Sequence, residues 1–219
     1  MRAKRILIIG GEASGKTTLA RQLAEVLGAP LHELDHVAWQ SAASPERDLR
    51  AAFHPDYQVS EAVVQRPRSE RLSQVQAIAD QGHWVAEGVF LWWTDPLFAA
   101  ADRIIWLDHV RFPTVILRVI ARHARSARRT AEGRDIGDMV RKLPSHFGAL
   151  RGLVTVMMRV GRFHFAPGPS TPAPDDYGAI TRRAMRSVVG AHASKLVHIR
   201  SERDLRELVQ NPDWAVNLQ

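Results

Sequence analysis

Cysteine is absent from the 219-residue chain. That excludes a disulfide framework and any zinc site built on thiolates. Lysine is scarce: Lys4, Lys16, Lys142 and Lys195 stand against 26 arginines. The imbalance is ascribed to genome base composition and carries no chemistry by itself. No apolar run approaches the roughly 20 residues of a membrane span. The apolar run after the basic start is too short for a signal peptide, and no internal repeat is evident. The expectation is a soluble, cytoplasmic protein: one compact α/β domain over residues 1–219, long enough for a substantial core.

What is present is unevenly placed. The net charge is +7. Residues 1–110 carry 11 basic and 14 acidic side chains, residues 111–162 carry 12 and 3, and residues 163–219 carry 7 and 6. One middle segment therefore holds the positive field. A block of that kind suits an anion, either the phosphates of a small molecule or those of a nucleic acid.

The most informative stretch is Arg5 to Leu19. Ile6 to Ile9 form a continuous β-branched-rich run, as in a parallel strand buried on both faces. Gly10, Gly11, Glu12, Ala13, Ser14, Gly15, Lys16 and Thr17 then spell G-x-x-x-x-G-K-S/T, followed by Thr18. Glycines let backbone N–H groups close on phosphate oxygens, and a helix N-terminus adds partial positive charge. Lys16 would reach the β- and γ-phosphates, and the Thr17 hydroxyl would bind Mg²⁺. Leu19, Leu23, Val26 and Leu27 share a helical face, and Gly28 closes it.

Further strands are expected at Leu31–Leu34, His83–Glu87, Arg103–Leu107 and Lys195–Ile199. His32, Glu33 and His36 match H-E-x-x-H, but that pattern needs a helix, and this stretch sits where the second strand belongs. Asp35 and Glu87 are carboxylates at C-terminal strand ends, where ligands of open α/β sheets bind. Asp35 is a candidate substrate or Mg²⁺-shell ligand, or else a helix N-cap. Glu87 is a candidate for Mg²⁺ water or for an acceptor hydroxyl, or else a turn carboxylate paired with an arginine. The aromatic cluster after Val89 would wall an acceptor pocket or pack in the core.

Residues 40–58 read as a mobile, partly helical excursion. A helix over roughly Ser60–Ala79 should be kinked or interrupted at Pro67. Pro96–Ala101 and a segment from about Pro113 are helical. In the latter Arg118, Arg122 and Arg125 share one face with Arg129, either against a polyanion or simply solvated. Residues 130–135 read as a loop. Residues 137–160 read as helix interrupted by Pro144 and Gly152, Gly161–Pro174 as an exposed loop, and Asp175–Ala193 as helix. Ser201 and Asp204 form a capping-box pattern.

The stretches Arg5–Leu27, Leu34–Trp39, Trp84–Gly88, Asp102–Asp108 and the chain from Leu196 resemble the adenylate-kinase-like group of P-loop small-molecule kinases. More narrowly they resemble the bacterial "topology modulation" proteins. That narrower group commonly has Asp-Gly then Asn after the third strand, where this chain has Glu87-Gly88-Val89. The resemblance implies a three-layer P-loop NTPase fold with a five-stranded parallel sheet in order 2-3-1-4-5. It implies an arginine-rich helical lid, falling here on Arg118, Arg122 and Arg125 within residues 111–174, and an acceptor-binding excursion over residues 40–80. The base of ATP would lie near Arg118, Arg200 and Ser201. The activity implied is ATP-dependent phosphotransfer to a small-molecule acceptor: a nucleoside, a nucleotide or a hydroxylated metabolite. Lys16, Asp35, Glu87, Arg118, Arg122 and Arg125 would be catalytic, and Thr17, Asp35 and Glu87 would hold Mg²⁺. The rival readings are a nucleic-acid-associated P-loop ATPase and a nucleotide-binding protein without catalysis. Neither the acceptor nor the oligomeric state is legible.

Overall fold

Alternation along one short strand sets the architecture. In β1 (Arg5–Gly10), Leu7 and Ile9 belong to one buried cluster while Ile6 and Ile8 belong to another. A strand with both faces apolar must be covered on both sides, which demands helices above and below a parallel sheet. The computed structural model describes residues 3–42, 63–131, 143–168 and 180–211. It contains β2 (Leu31–Glu33), β3 (Trp39–Ser41), β4 (Val63–Gln65), β5 (Trp84–Gly88), β6 (Arg103–Leu107) and β7 (Leu196–Ile199).

The main sheet runs β2-β5-β1-β6-β7, with all its pairings parallel. Counting only its five strands in chain order, this is 2-3-1-4-5, as expected. The strands β3 and β4 form a separate antiparallel ribbon. Residues 43–62 between them, which include most of the expected excursion, lie outside the described residues.

Helix α1 (Lys16–Leu27) starts directly after Gly15, whose φ is 92°, and ends at Gly28, whose φ is 60°. Both angles suit glycine. The buried stripe is Leu19, Ala20, Leu23 and Ala24, with Leu27 beside it. Val26 falls at the stripe's edge and is exposed, contrary to expectation. Asp35 does not follow a strand directly: β2 stops at Glu33, and α2 (Leu34–Ala38) carries Asp35 in its first turn. Glu33, not Asp35, holds the N-cap position.

Pro67 interrupts the expected helical span rather than kinking it. Residues 63–65 are strand, and α3 (Arg68–Ala79) begins immediately after the proline. Proline fixes φ and lacks an N–H, so it suits a helix entrance better than an interior. The short α4 is Asp95–Ala100, and α5 is Phe112–Ala131. Pro144 and Gly152 do not interrupt α6 (Leu143–Phe165), since Pro144 sits in its first turn. The expected loop from Gly161 is helix as far as Phe165. The next helix, α7, is Arg182–Gly190, shorter than expected, and α8 is Glu202–Gln210. The expected loop 130–135 falls almost wholly outside the described residues. Among the described residues, no helix is long and apolar enough to cross a membrane.

Val115 and Val119 of α5 meet Val160 of α6, with Phe112, Ile116, Leu153, Val156 and Ala13 packed around them. This third apolar cluster matters for function, because Ala13 belongs to the glycine-rich loop.

Candidate active site

The loop Gly10–Gly15 joins the end of β1 to the start of α1, at the C-terminal edge of the sheet. Its path is tight. A Cβ on Gly10 would stand 2.7 Å from the Leu107 carbonyl oxygen, and one on Gly11 would stand 2.8 Å from the Phe163 ring. Ala13 and Gly15 have positive φ, 54° and 92°. Such alternation turns successive N–H groups toward one side, forming a concave anion site. The Lys16 ammonium curls back and donates to the Gly11 carbonyl at 2.8 Å. Thr17 lies one residue into α1, and its hydroxyl donates to Glu87 Oε1 at 2.7 Å.

Pairing register brings the acids to this loop. Ile8 is paired with Glu87 across β1 and β5, and Glu33 is paired with Glu87 across β2 and β5. Glu87 is 5% exposed. Burial pushes its carboxyl pKa up, while Lys16 and the Thr17 hydrogen bond work downward and Asp35 and Glu33 add to the rise. Asp35 has an exposed side chain. Yet the protein crowded around its carboxyl pushes that pKa up too, opposed by Lys16 and Arg159 and reinforced by Glu12 and Glu33. Accessibility, rather than crowding, decides whether a carboxylate can meet a substrate, so Asp35 is open to one and Glu87 is not.

These oxygens suit a hard cation. Mg²⁺ takes one or two carboxylates together with phosphate and water oxygens. The Thr17 hydroxyl hydrogen-bonded to Glu87, with the solvent-open Asp35 carboxylate in electrostatic reach, fits that demand. Among the described residues, no three His, Cys, Asp or Glu side chains converge on one ion. His32 and His36 lie on different elements, near Gln81 at 3.1 Å and Glu33 at 3.8 Å respectively.

The arginines divide. Arg118 Nη1 donates to the Ala13 carbonyl at 3.1 Å, and its Nη2 meets Glu202 Oε1 at 3.2 Å. It therefore links the loop to the start of α8, where Ser201 and Asp204 form the expected capping box. Arg200 donates from Nε to His198 Nδ1 at 3.0 Å. Arg125 is exposed on α5, and the Arg122 side chain lies outside what is described. Arg71 is buried with its guanidinium 5.3 Å from the Trp93 ring centroid. Phe90, Leu91 and Trp93 belong to the core, so the aromatic cluster packs more than it lines.

Sequence reasoning missed three contacts. Arg159 of α6 places Nε 3.4 Å from Glu12 Oε1. Phe163 of the same helix packs on Gly11. Asp108, just beyond β6, takes a two-pronged hydrogen bond from Arg182 at 2.6 and 2.9 Å. A signal for the first two existed. Leu153, Val156, Val160 and Phe163 are spaced 3, 4 and 3, so they mark the inward face of a helix, with Arg159 on its flank.

The chain matches no protein-family model. It has no match among curated proteins. Its fold is similar to that of solved structures. A shikimate kinase from Bacteroides thetaiotaomicron shares 15% identity over 71% of this chain and 82% of that one, with a TM-score of 0.38. A gluconokinase from Sinorhizobium meliloti 1021 shares 16% over 86% and 93%, with a TM-score of 0.37. A sugar kinase from Janibacter sp. HTCC2649 shares 12% over 96% and 92%, with a TM-score of 0.39.

Proposed function

We propose that this chain is an ATP-dependent phosphotransferase of the P-loop type, acting on a small acceptor that bears a hydroxyl or phosphate oxygen. One observation carries the reading. The concave loop Gly10–Gly15, with Lys16 and Thr17 behind it, faces two carboxylates of opposite accessibility, buried Glu87 and open Asp35. A site that only bound nucleotide would not need the second.

In this reading the loop N–H groups and Lys16 hold the β- and γ-phosphates of ATP. Thr17, with Glu87 and Asp35 near it, holds Mg²⁺, which neutralises charge on the phosphate oxygens when bound. Glu87 fixes the Thr17 hydroxyl. Asp35 accepts the acceptor's O–H proton as the acceptor oxygen bonds to the γ-phosphorus and the bond to ADP breaks. Its raised pKa makes it a better proton acceptor than an ordinary aspartate. The proton passes on to solvent. Arg118 lies beside the nucleotide, with Arg200 and Ser201 near the base. Helices α5 and α6 form the lid, with Arg122 and Arg125 on it, and residues 40–80 supply the acceptor side. The narrower likeness to "topology modulation" proteins names no reaction.

The test is Mg²⁺-dependent ATP turnover against a panel of nucleosides, nucleoside monophosphates and hydroxylated metabolites. One acceptor should stimulate turnover, and Lys16→Ala should abolish it. Asp35→Asn should lower kcat by about 10²–10⁴-fold, the usual range for a lost general base. Stimulation by DNA or RNA alone, falling steeply with salt, would instead establish the nucleic-acid reading.

A further inference from the structure

Three successive loop residues are held by the two helices packed above them. Phe163 of α6 packs on Gly11, Arg159 of α6 pairs with Glu12, and Arg118 of α5 bonds the Ala13 carbonyl. Their chemistry differs. Phe163 contributes packing. Arg118 is engaged at both Nη atoms, by Ala13 and by Glu202. Arg125 lies seven residues beyond Arg118, about 10 Å further along the helix. Arg159 alone of these meets a side chain of the loop through its Nε edge.

Glu12 puts negative charge on the loop itself. The loop's convergent N–H groups are built for anions, and a carboxylate on that loop repels a phosphate unless a cation stands between them. Arg159 is the cation set against that carboxylate, 3.4 Å away. A guanidinium offers five N–H donors in a planar fork, so a carboxylate on the Nε edge leaves the Nη tips to face another anion. The pair is partly exposed, 42% and 31%. That makes it a weak tether by itself, suited to orienting a side chain rather than to holding the fold. The charge of Arg159 is also felt by Asp35, together with those of Lys16 and Glu12. Arg159 is therefore within electrostatic reach of both halves of the site, the loop and the acceptor carboxylate.

We propose that Arg159, oriented by the Glu12 carboxylate of the phosphate loop, is the arginine that bears on the phosphoryl group in transit. Arg159 is the catalytic residue, and Glu12 is a positioning residue acting through it. The inference rests on the phosphotransferase reading and assigns to Arg159 a role that the family resemblance places on Arg118, Arg122 and Arg125.

The test separates nucleotide binding from transition-state binding. ADP with Mg²⁺ is titrated calorimetrically with and without aluminium fluoride, which mimics the phosphoryl group in transit. Wild type should bind ADP and tighten at least ~10²-fold with the fluoride, the lower range for transition-state analogues. Lys16→Ala should lose both. Arg159→Ala should bind ADP within about threefold of wild type and lose most of the tightening, because the interaction exists only in the transition state. Glu12→Gln should lose about five- to twenty-fold of the tightening, and nothing further in the Arg159→Ala background, since coupled residues are not additive. Arg159→Lys keeps the charge without the fork and should also lose tightening. It carries the test should Arg159→Ala fail to fold.

Full tightening in Arg159→Ala or, where that fails to fold, in Arg159→Lys would overturn the catalytic assignment while leaving the phosphotransferase reading intact. A Glu12→Gln loss of the same size in both backgrounds would overturn the positioning role. Wild type that binds ADP but never tightens would overturn the inference alone. Wild type that binds no ADP would overturn the phosphotransferase reading and this inference with it.

Discussion

Glu87 is held where a charge is costly. It is 5% exposed, takes the Thr17 hydroxyl at 2.7 Å, and has its pKa raised chiefly by burial. A raised carboxyl pKa means that the folded chain holds a proton the unfolded chain has already released. Stability is then full below the free glutamate value, about 4.3, and is lost as pH rises through the higher folded value. Glutamine at this position keeps an oxygen for Thr17 and has no proton to lose. Glu87→Gln should therefore melt above wild type at about pH 8, and the advantage should shrink toward zero near pH 4. An equal gap at both pH values would show that charge is not the cause. The same variant should lose turnover, the usual cost of relieving a functional site. Asp35, exposed and raised in the same direction, follows the same sign with more screening by solvent.

Elements are tied at the sheet's C-terminal edge by Asp108. Its side chain is 6% exposed, and Arg182 of α7 grips both of its oxygens. His198 of β7 meets it through Nε2 at 3.2 Å. Arg200 donates to His198 Nδ1, so Nε2 carries the hydrogen that Asp108 accepts. Asp108→Ala would strand a guanidinium and an imidazole together. We expect a loss of about 2–3 kcal/mol, seen as a melting point lower by roughly 5–10 °C. Gly11→Ala acts on a different junction. The added methyl meets Phe163 and should cost ~1–3 kcal/mol by forcing α6 off the loop. A melting point unchanged by either substitution would refute the corresponding junction. The central strands β1, β5 and β6 were legible as short runs buried on both faces, the half-buried edge strands β2 and β7 by their place in the alternation with helices, and α1 by Gly15 and Gly28 at its ends. The helix start near Pro67 was placed too early, since strand, not helix, precedes it, and both Pro67 and Pro144 mark entrances. In the site, the loop and Thr17 followed from a local motif, and Glu87 from its place at a strand's C-terminal end. The partners of Glu12 and Asp108 did not, because no motif or strand-end position points from either acid to Arg159 or Arg182.

Across the whole molecule, ionisable groups pull stability in opposite directions with pH. His109, His164, His192 and His198 all have their pKa lowered, and burial is the largest cause in each. The His109 side chain is fully enclosed, and neither ring nitrogen has a hydrogen bond among the described residues; Glu202 lies 3.7 Å from Nε2. Four folded-state imidazoles thus stay neutral where the unfolded chain takes up protons. Their contribution is full above the free histidine value, about 6.5, and is lost as pH falls through that value toward the folded ones. Asp35, Glu87 and Asp95, all raised by burial, gain as pH falls and oppose this. The chain's net charge of +7 tips the balance, because each added proton deepens repulsion in an already cationic protein. Wild type should therefore melt lower at about pH 5.5 than at about pH 7.5, with proton uptake on unfolding. Glu87→Gln, which lacks one of the opposing gains, should fall more steeply over the same interval. Buffers of different ionisation enthalpy would report the uptake directly in calorimetry. A melting point that is flat or rises toward pH 5.5 would mean that the acids, not the histidines, govern the fold.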